Sequence, residues 1–212
     1  WRDPFHRYVA DNWQDSVQVC WFLTHAARLF THGDNPLFTD LINAPHGVNL
    51  MANTSLLAIA LPLAPVTLIF GAEVTFALLL TLAPVLTACS WYWLFSRHVV
   101  RSRAAAFLGA LFAGFAPSMV SHDTGHPNIV AQFLLPLIVL VVLRLRIPGR
   151  AVRTGLELAG LVVLQVFINE EILVGGFYTP ETGVCDSLQF GTLCREKAEA
   201  LGALTSLANT EV

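Results

Sequence analysis

Three long stretches of the chain carry no ionised side chain. Residues 74–96, 104–122 and 124–143 contain no Asp, Glu, Lys or Arg. Each is close to the ~20 residues that an α-helix needs to cross a ~30 Å hydrocarbon layer. A helix apolar on every face belongs in lipid or at the centre of a large core. The pattern therefore predicts membrane helices. A fourth uncharged stretch, 41–72, is interrupted by Pro62 and Pro65, and a fifth apolar stretch, 154–178, holds Glu157, Glu170 and Glu171. Three arginines sit in 97–103 and four in 144–153. Such loops stay cytoplasmic, so 74–96 runs inward, 104–120 outward, 128–143 inward and 154–175 outward. Segment 52–72 then reads as a hydrophobic, non-crossing helix on the outer side, kinked at its two prolines. A full crossing there would turn both arginine loops outside. The expected fold class is all-α, a polytopic membrane helix bundle of about 4–5 membrane helices with an outer juxtamembrane helical loop.

Composition narrows the picture. The 212 residues are 55% hydrophobic and 13% charged, with net charge −3. Disorder throughout the chain is excluded, because it requires low hydrophobicity and high charge. A nucleic-acid partner is disfavoured, because no basic run is present. Three regions follow: 1–50 as an outer membrane-flanking loop, 51–178 as the membrane body, and 179–212 as a polar tail that reads as disordered or non-native. The chain starts at Trp1 and shows no signal peptide, which leads us to expect a fragment lacking a first membrane helix. Of the four cysteines, Cys89 falls in an apolar helix and reads as a packing residue. Cys185 and Cys194 could pair if the tail is outside.

The polar chemistry collects on one side. Six of the seven histidines (His6, His25, His32, His46, His122 and His126) fall in regions assigned to the outer face. Asp3, Asp11, Asp15, Asp34, Asp40 and Asp123 join them. Residues 11–32 read as a helix ended by Gly33, with Asp11 and Gln14 resembling a capping box. Asp15 would sit near its N-terminus, where the helix dipole favours a carboxylate. Either it supports that end or it does chemistry. His122-Asp123-Thr124-Gly125-His126-Pro127-Asn128 joins two membrane helices on the outer side. His122, Asp123 and His126 could hold a divalent metal, or the segment is a hydrated loop. Glu170 and Glu171 end an apolar run, where ionisable groups tend to mark a functional path. Adjacent residues point about 100° apart on a helix, so at most one faces a given site. Glu171 is the better choice, being nearer the outer end. Glu157 pairs naturally with Arg153 four residues away.

Several of these pieces together resemble a known family. Asp15-Ser-Val-Gln18, Trp21-Phe22-Leu23, Gly33-Asp34-Asn35-Pro36-Leu37-Phe38-Thr39-Asp40, Pro45-His46-Gly47-Val48-Asn49-Leu50 and Asn53-Thr54-Ser55 look like the first outer loop of bacterial, actinobacterial-type GT-C membrane glycosyltransferases. The stretches Phe107–Pro117, Gly125-His126 and Gln165–Glu170 fit the same pattern, which covers about residues 3–174. The resemblance implies transfer of a sugar from a polyprenyl-phosphate carrier on the outer face of the plasma membrane, with inversion. It implies that Asp15 is the catalytic base. Asp40, His126 and Glu170 fall on other polar positions of the pattern. Asp40 and Glu171 therefore stand beside Asp15 as candidate catalytic groups. Gln18, Arg28, His126, Asn128 and Glu170 are candidate substrate contacts. A Mg²⁺ or Mn²⁺ ion near His122–His126, or the outer arginines Arg2, Arg7 and Arg28, would hold the leaving phosphate. The chain departs from the family after Glu171, where polar sequence replaces further apolar helices. Two alternatives stand beside this reading. One is a transporter subunit using Asp123, Glu170 and Glu171 as an ion path. The other is an inactive truncated membrane protein.

Overall fold

The computed structural model describes residues 13–52, 56–145, 147 and 149–173. The Asp11 half of the capping box, Arg2, Arg7, Asn53–Ser55, the Cys185 and Cys194 pair and the tail lie outside the described residues. The first helix, α1, is Trp13–His32. Its buried stripe of Val19, Leu23 and Ala26 repeats at the helical spacing, and Gly33, at φ 69°, ends it. The outer loop then folds into a short antiparallel hairpin, β1 (Phe38–Thr39) against β2 (Val48–Asn49). The sequence reading had no strand here. The pairing depends on Gly47, at φ 70°, because a Cβ at that position would collide with the Phe38 ring.

Helix α2 (Leu57–Phe70) continues through both Pro62 and Pro65 as one helix. It turns at Gly71, φ 92°, into α3, which spans Ala72–Leu94 and continues as a wider π-helical stretch over Phe95–Val99. The two helices pack together beyond this turn, tied by a 3.0 Å hydrogen bond between the Thr67 and Thr75 hydroxyls. With 14 residues beside the Ala72 half of α3, α2 stops well short of the arginine-bearing end.

The remaining helices come in two interrupted pairs. Helix α4 (Arg103–Phe115) is capped by the Ser102 hydroxyl, which accepts from the Ala105 amide at 3.3 Å. After Ala116 it re-forms as α5 (Pro117–His122). Helix α6 (Pro127–Val130) breaks and resumes as α7 (Leu135–Arg144), followed by α8 (Ala151–Val166). Side chains of α3 close the break between α6 and α7. The Thr87 hydroxyl donates to the Val130 carbonyl at 2.8 Å and accepts from the Gln132 amide at 3.0 Å, and the Ser90 hydroxyl donates to the Phe133 carbonyl at 2.7 Å. Irregular backbone inside an apolar bundle requires such partners. Helix α4 packs on α3 through Gly114, where a Cβ would lie 2.6 Å from the Ala88 Cβ. Small residues at such crossings let membrane helices approach closely.

Two apolar cores result. One joins α1, α2 and the first half of α3 around Leu23, Leu56, Phe76 and Leu80, with Val130 and Ile168. The other gathers Trp91, Leu94, Ala110 and Leu140 toward the arginine-bearing end. The protein is an all-α bundle. Within the described residues three helical stretches are long and apolar enough to cross a membrane: Ala72–Val99, Arg103–His122 and Pro127–Arg144. The expected crossing over 154–175 is instead the 16-residue α8, which ends at Val166. Its backbone turns because the Phe167 carbonyl accepts from the Ala58 amide at 3.1 Å. The Asn169 side-chain oxygen, in turn, accepts from the Glu171 amide at 2.8 Å. Ile168 and Asn169 are buried beneath this turn.

Candidate functional site

The α5–α6 junction and α1 are far apart in sequence and meet in space. His126 Nε2 lies 2.7 Å from Asp15 Oδ2, and each side chain remains about one-third exposed, at 33% and 35%. A carboxylate can only accept, so Nε2 carries the hydrogen. The two groups stand at one edge of a cavity of about 320 Å³. Gln18, Asn128 and Glu171 supply its other polar walls; Val19, Phe22, Leu56 and Ile129 supply the apolar ones. Asp15, Gln18, Val19 and Phe22 share one face of α1, since residues three, four and seven apart lie on the same side of a helix. Leu56 enters the wall through a left-handed backbone, φ 56°, just before α2. The turn after α8, with Ile168 and Asn169 buried in it, presents Glu171.

Five of the eight residues expected from sequence as catalytic groups or substrate contacts therefore converge: Asp15, Gln18, His126, Asn128 and Glu171. Of the adjacent acids, Glu171 lines the cavity and Glu170 does not. Asp40 is exposed on the loop beyond β1 and lies outside the lining. Arg28 is engaged elsewhere, donating to Asp34 Oδ2 at 2.7 Å. That ion pair holds Asp34 below the usual carboxylate range, chiefly through the hydrogen bond from Arg28.

The proposed metal ligands do not gather. His122 is exposed, with its ring perpendicular to that of His126 at 5.7 Å between centroids, while His126 Nε2 is committed to Asp15. Asp123 Oδ1 is buried without a hydrogen-bond partner, and burial pushes its carboxyl up from 3.8 to about 6. Among the described residues no cluster of three or more His, Cys, Asp or Glu is arranged to hold a metal.

Sequence reasoning missed the apolar walls. Val19 and Phe22 could have been found from their helical register with Asp15, but nothing in the sequence marks Leu56. His25, expected as part of the reactive outer face, is instead buried. Its ring stacks on Trp21 at 5.1 Å, and its Nε2–H donates to the Asn35 carbonyl at 3.1 Å, closing the loop after Gly33 onto α1. Cys20 is likewise inert, its thiol pushed up to about 12 mainly by burial and then by Glu73.

The helices and the cavity together define a helical membrane protein with a polar pocket where α1 meets the α5–α6 junction. The chain belongs to the family described as Domain of unknown function (DUF6311), which matches residues 11–174. That span contains every residue of the cavity. No curated protein and no solved structure matches the chain.

Proposed function

We propose that the cavity is the transfer site of a GT-C-type glycosyltransferase that takes a sugar from a polyprenyl-phosphate donor on the outer face of the plasma membrane. The observation that carries this reading is the Asp15–His126 pair at 2.7 Å, set in a pocket with Gln18, Asn128 and Glu171. In the reaction, an acceptor hydroxyl gives its proton to the Asp15 carboxylate as its oxygen attacks the anomeric carbon. The bond from that carbon to the phosphate oxygen breaks, and the electron pair leaves with the polyprenyl phosphate. Attack opposite the leaving group inverts the anomeric centre. His126 orients the Asp15 carboxylate. Gln18 and Asn128 offer amide donors and acceptors to sugar hydroxyls. Phe22, Val19, Leu56 and Ile129 form the apolar walls beside the reacting centre. Bases of this kind contribute about 10²–10⁴-fold in rate.

The test is Asp15→Asn in the intact chain, assayed in membranes with a polyprenyl-phosphate sugar. Turnover should fall by about 10²–10⁴-fold, with donor binding retained. Unchanged turnover overturns the base assignment.

A further inference from the structure

The turn that follows α8 holds two buried amides that the transfer reaction does not itself use. Gln165 and Asn169 are both 0% exposed, with Ile168 buried between them. The Gln165 side chain donates from Nε2 to the Asn169 carbonyl at 3.2 Å. The Gln165 carbonyl accepts from the Ile168 and Asn169 amides at 3.0 and 2.7 Å. Among the described residues the Asn169 side chain makes one hydrogen bond: its Oδ1 accepts from the Glu171 amide at 2.8 Å. Gln165 Oε1 and Asn169 Nδ2 are buried without a partner among those residues. Burying an amide so incompletely satisfied opposes folding, and an aliphatic side chain would fill the space without that cost. What Asn169 contributes is therefore the single bond it makes.

That bond falls on a residue of the cavity. Glu171 is the one wall residue that this turn supplies. It is exposed, so packing does little to hold it, and the buried Asn169 fixes its backbone instead. Its carboxylate oxygens accept no hydrogen bond among the described residues, which leaves them open to hydroxyl donors. The same turn also anchors a second wall. The Phe167 carbonyl accepts from the Ala58 amide at 3.1 Å, two residues beyond the Leu56 that lines the cavity. Groups that touch a reacting substrate must be held to within about 0.5 Å by neighbours that are themselves locked in place. Asn169, pinned by Gln165 and out of contact with solvent, meets that requirement.

We propose that Asn169 is a positioning residue of the transfer site. Its side-chain oxygen fixes the Glu171 backbone, which keeps the Glu171 carboxylate at the cavity to accept hydrogen bonds from sugar hydroxyls. Gln165 in turn fixes Asn169. Neither amide lines the cavity, so both act through Glu171. This inference rests on the transfer reading given above.

The experiment is a double-mutant cycle on the full chain in membranes, with a panel of polyprenyl-phosphate-linked hexoses and pentoses as donors. Asn169→Leu should lower kcat/KM by about 10–100-fold, the order expected for a misplaced contact. It should act on the same constant, kcat or KM, as Glu171→Ala does. In a Glu171→Ala background the same substitution should cost less than about two-fold, because the group it positions is gone. Asn169→Asp, which keeps the acceptor oxygen, should recover most of the loss. Hydrogen exchange at the Glu171 amide reads the bond without turnover: slow in the unaltered chain and in Asn169→Asp, about ten-fold faster in Asn169→Leu. If Asn169→Leu does not fold, Gln165→Met, which frees the Asn169 carbonyl while filling the space, enters the same cycle with a loss of about five-fold. A loss that persists undiminished in the Glu171→Ala background makes Asn169 structural and overturns the proposal. Unchanged exchange at Glu171 overturns it too. No turnover of any donor by the unaltered chain, or turnover indifferent to Asp15→Asn, would instead sink the transfer reading itself.

Discussion

At the scale of single residues, the Asp15–His126 pair adds little to the stability of the fold. Both side chains are about one-third exposed, and ion pairs at that exposure stabilise a fold by only ~0–1 kcal/mol. His126→Ala should therefore leave the melting temperature nearly unchanged. It should lower turnover by about 10²-fold, the order expected for a misplaced reacting group. His126→Asn, which keeps an N–H donor, should recover part of the loss. A fall in stability equal to that in activity would make the pair structural. Asp123 makes a different prediction. Its carboxyl ionises near 6 in the fold against 3.8 for an ordinary aspartate, because burial opposes the charge. The folded state therefore holds its proton over a range in which the unfolded chain has lost it. Stability contributed by the protonated group is full below pH 3.8, declines as pH rises toward 6, and is flat above that. Asp123→Asn should flatten this window in a pH series of thermal melts.

At the scale of elements, the bundle depends on how α3 serves its neighbours. Thr87 satisfies one carbonyl and one amide at the break between α6 and α7. Thr87→Val keeps the shape and removes the hydroxyl's bonds to both groups, leaving them only the 2.8 Å contact from the Gln132 amide to the Val130 carbonyl, at a cost of about 1–3 kcal/mol in all. The break holds the α5–α6 junction, so we expect the variant to lose His126 geometry along with stability. Paired thermal melts and turnover measurements would show both losses. Gly114 presents the opposite constraint. The added Cβ of Gly114→Ala meets Ala88 at 2.6 Å and the Pro84 carbonyl at 2.9 Å, and both belong to the facing helix. Overpacking of this kind costs about 1–3 kcal/mol. If Gly114→Ala melts like the unaltered protein, the close crossing of α3 and α4 is wrong.

At the scale of the whole molecule, the fold separates a polar pocket from an arginine-bearing end. Single cysteines at Gln14 and Thr124 should react with an impermeant thiol reagent from one side of the membrane, and one at Ser102 from the other. Labelling of all three from the same side would break this arrangement. Much of it was legible in the sequence. The uncharged stretches gave the membrane helices because solvation of charge in lipid is prohibitive at any fold. The arginine loops marked one end, Asp15, His126 and Glu171 stood out as ionisable groups on the other, and Gln18 and Asn128 were candidates through the family resemblance and the His122–Asn128 segment. Tertiary structure alone decided which of these groups meet. Asp40 and Arg28 stood as candidates beside Asp15 in the sequence, yet one is exposed on the hairpin and the other is held by Asp34. The length of α8 was also undecidable from its apolar run, because the Ala58 amide and the Asn169 side chain turn the chain at Phe167. Sequence fixes which residues avoid or seek water, a property of each side chain alone. Which polar groups share a pocket depends on helix ends brought together by packing across more than a hundred residues, and no local pattern records that.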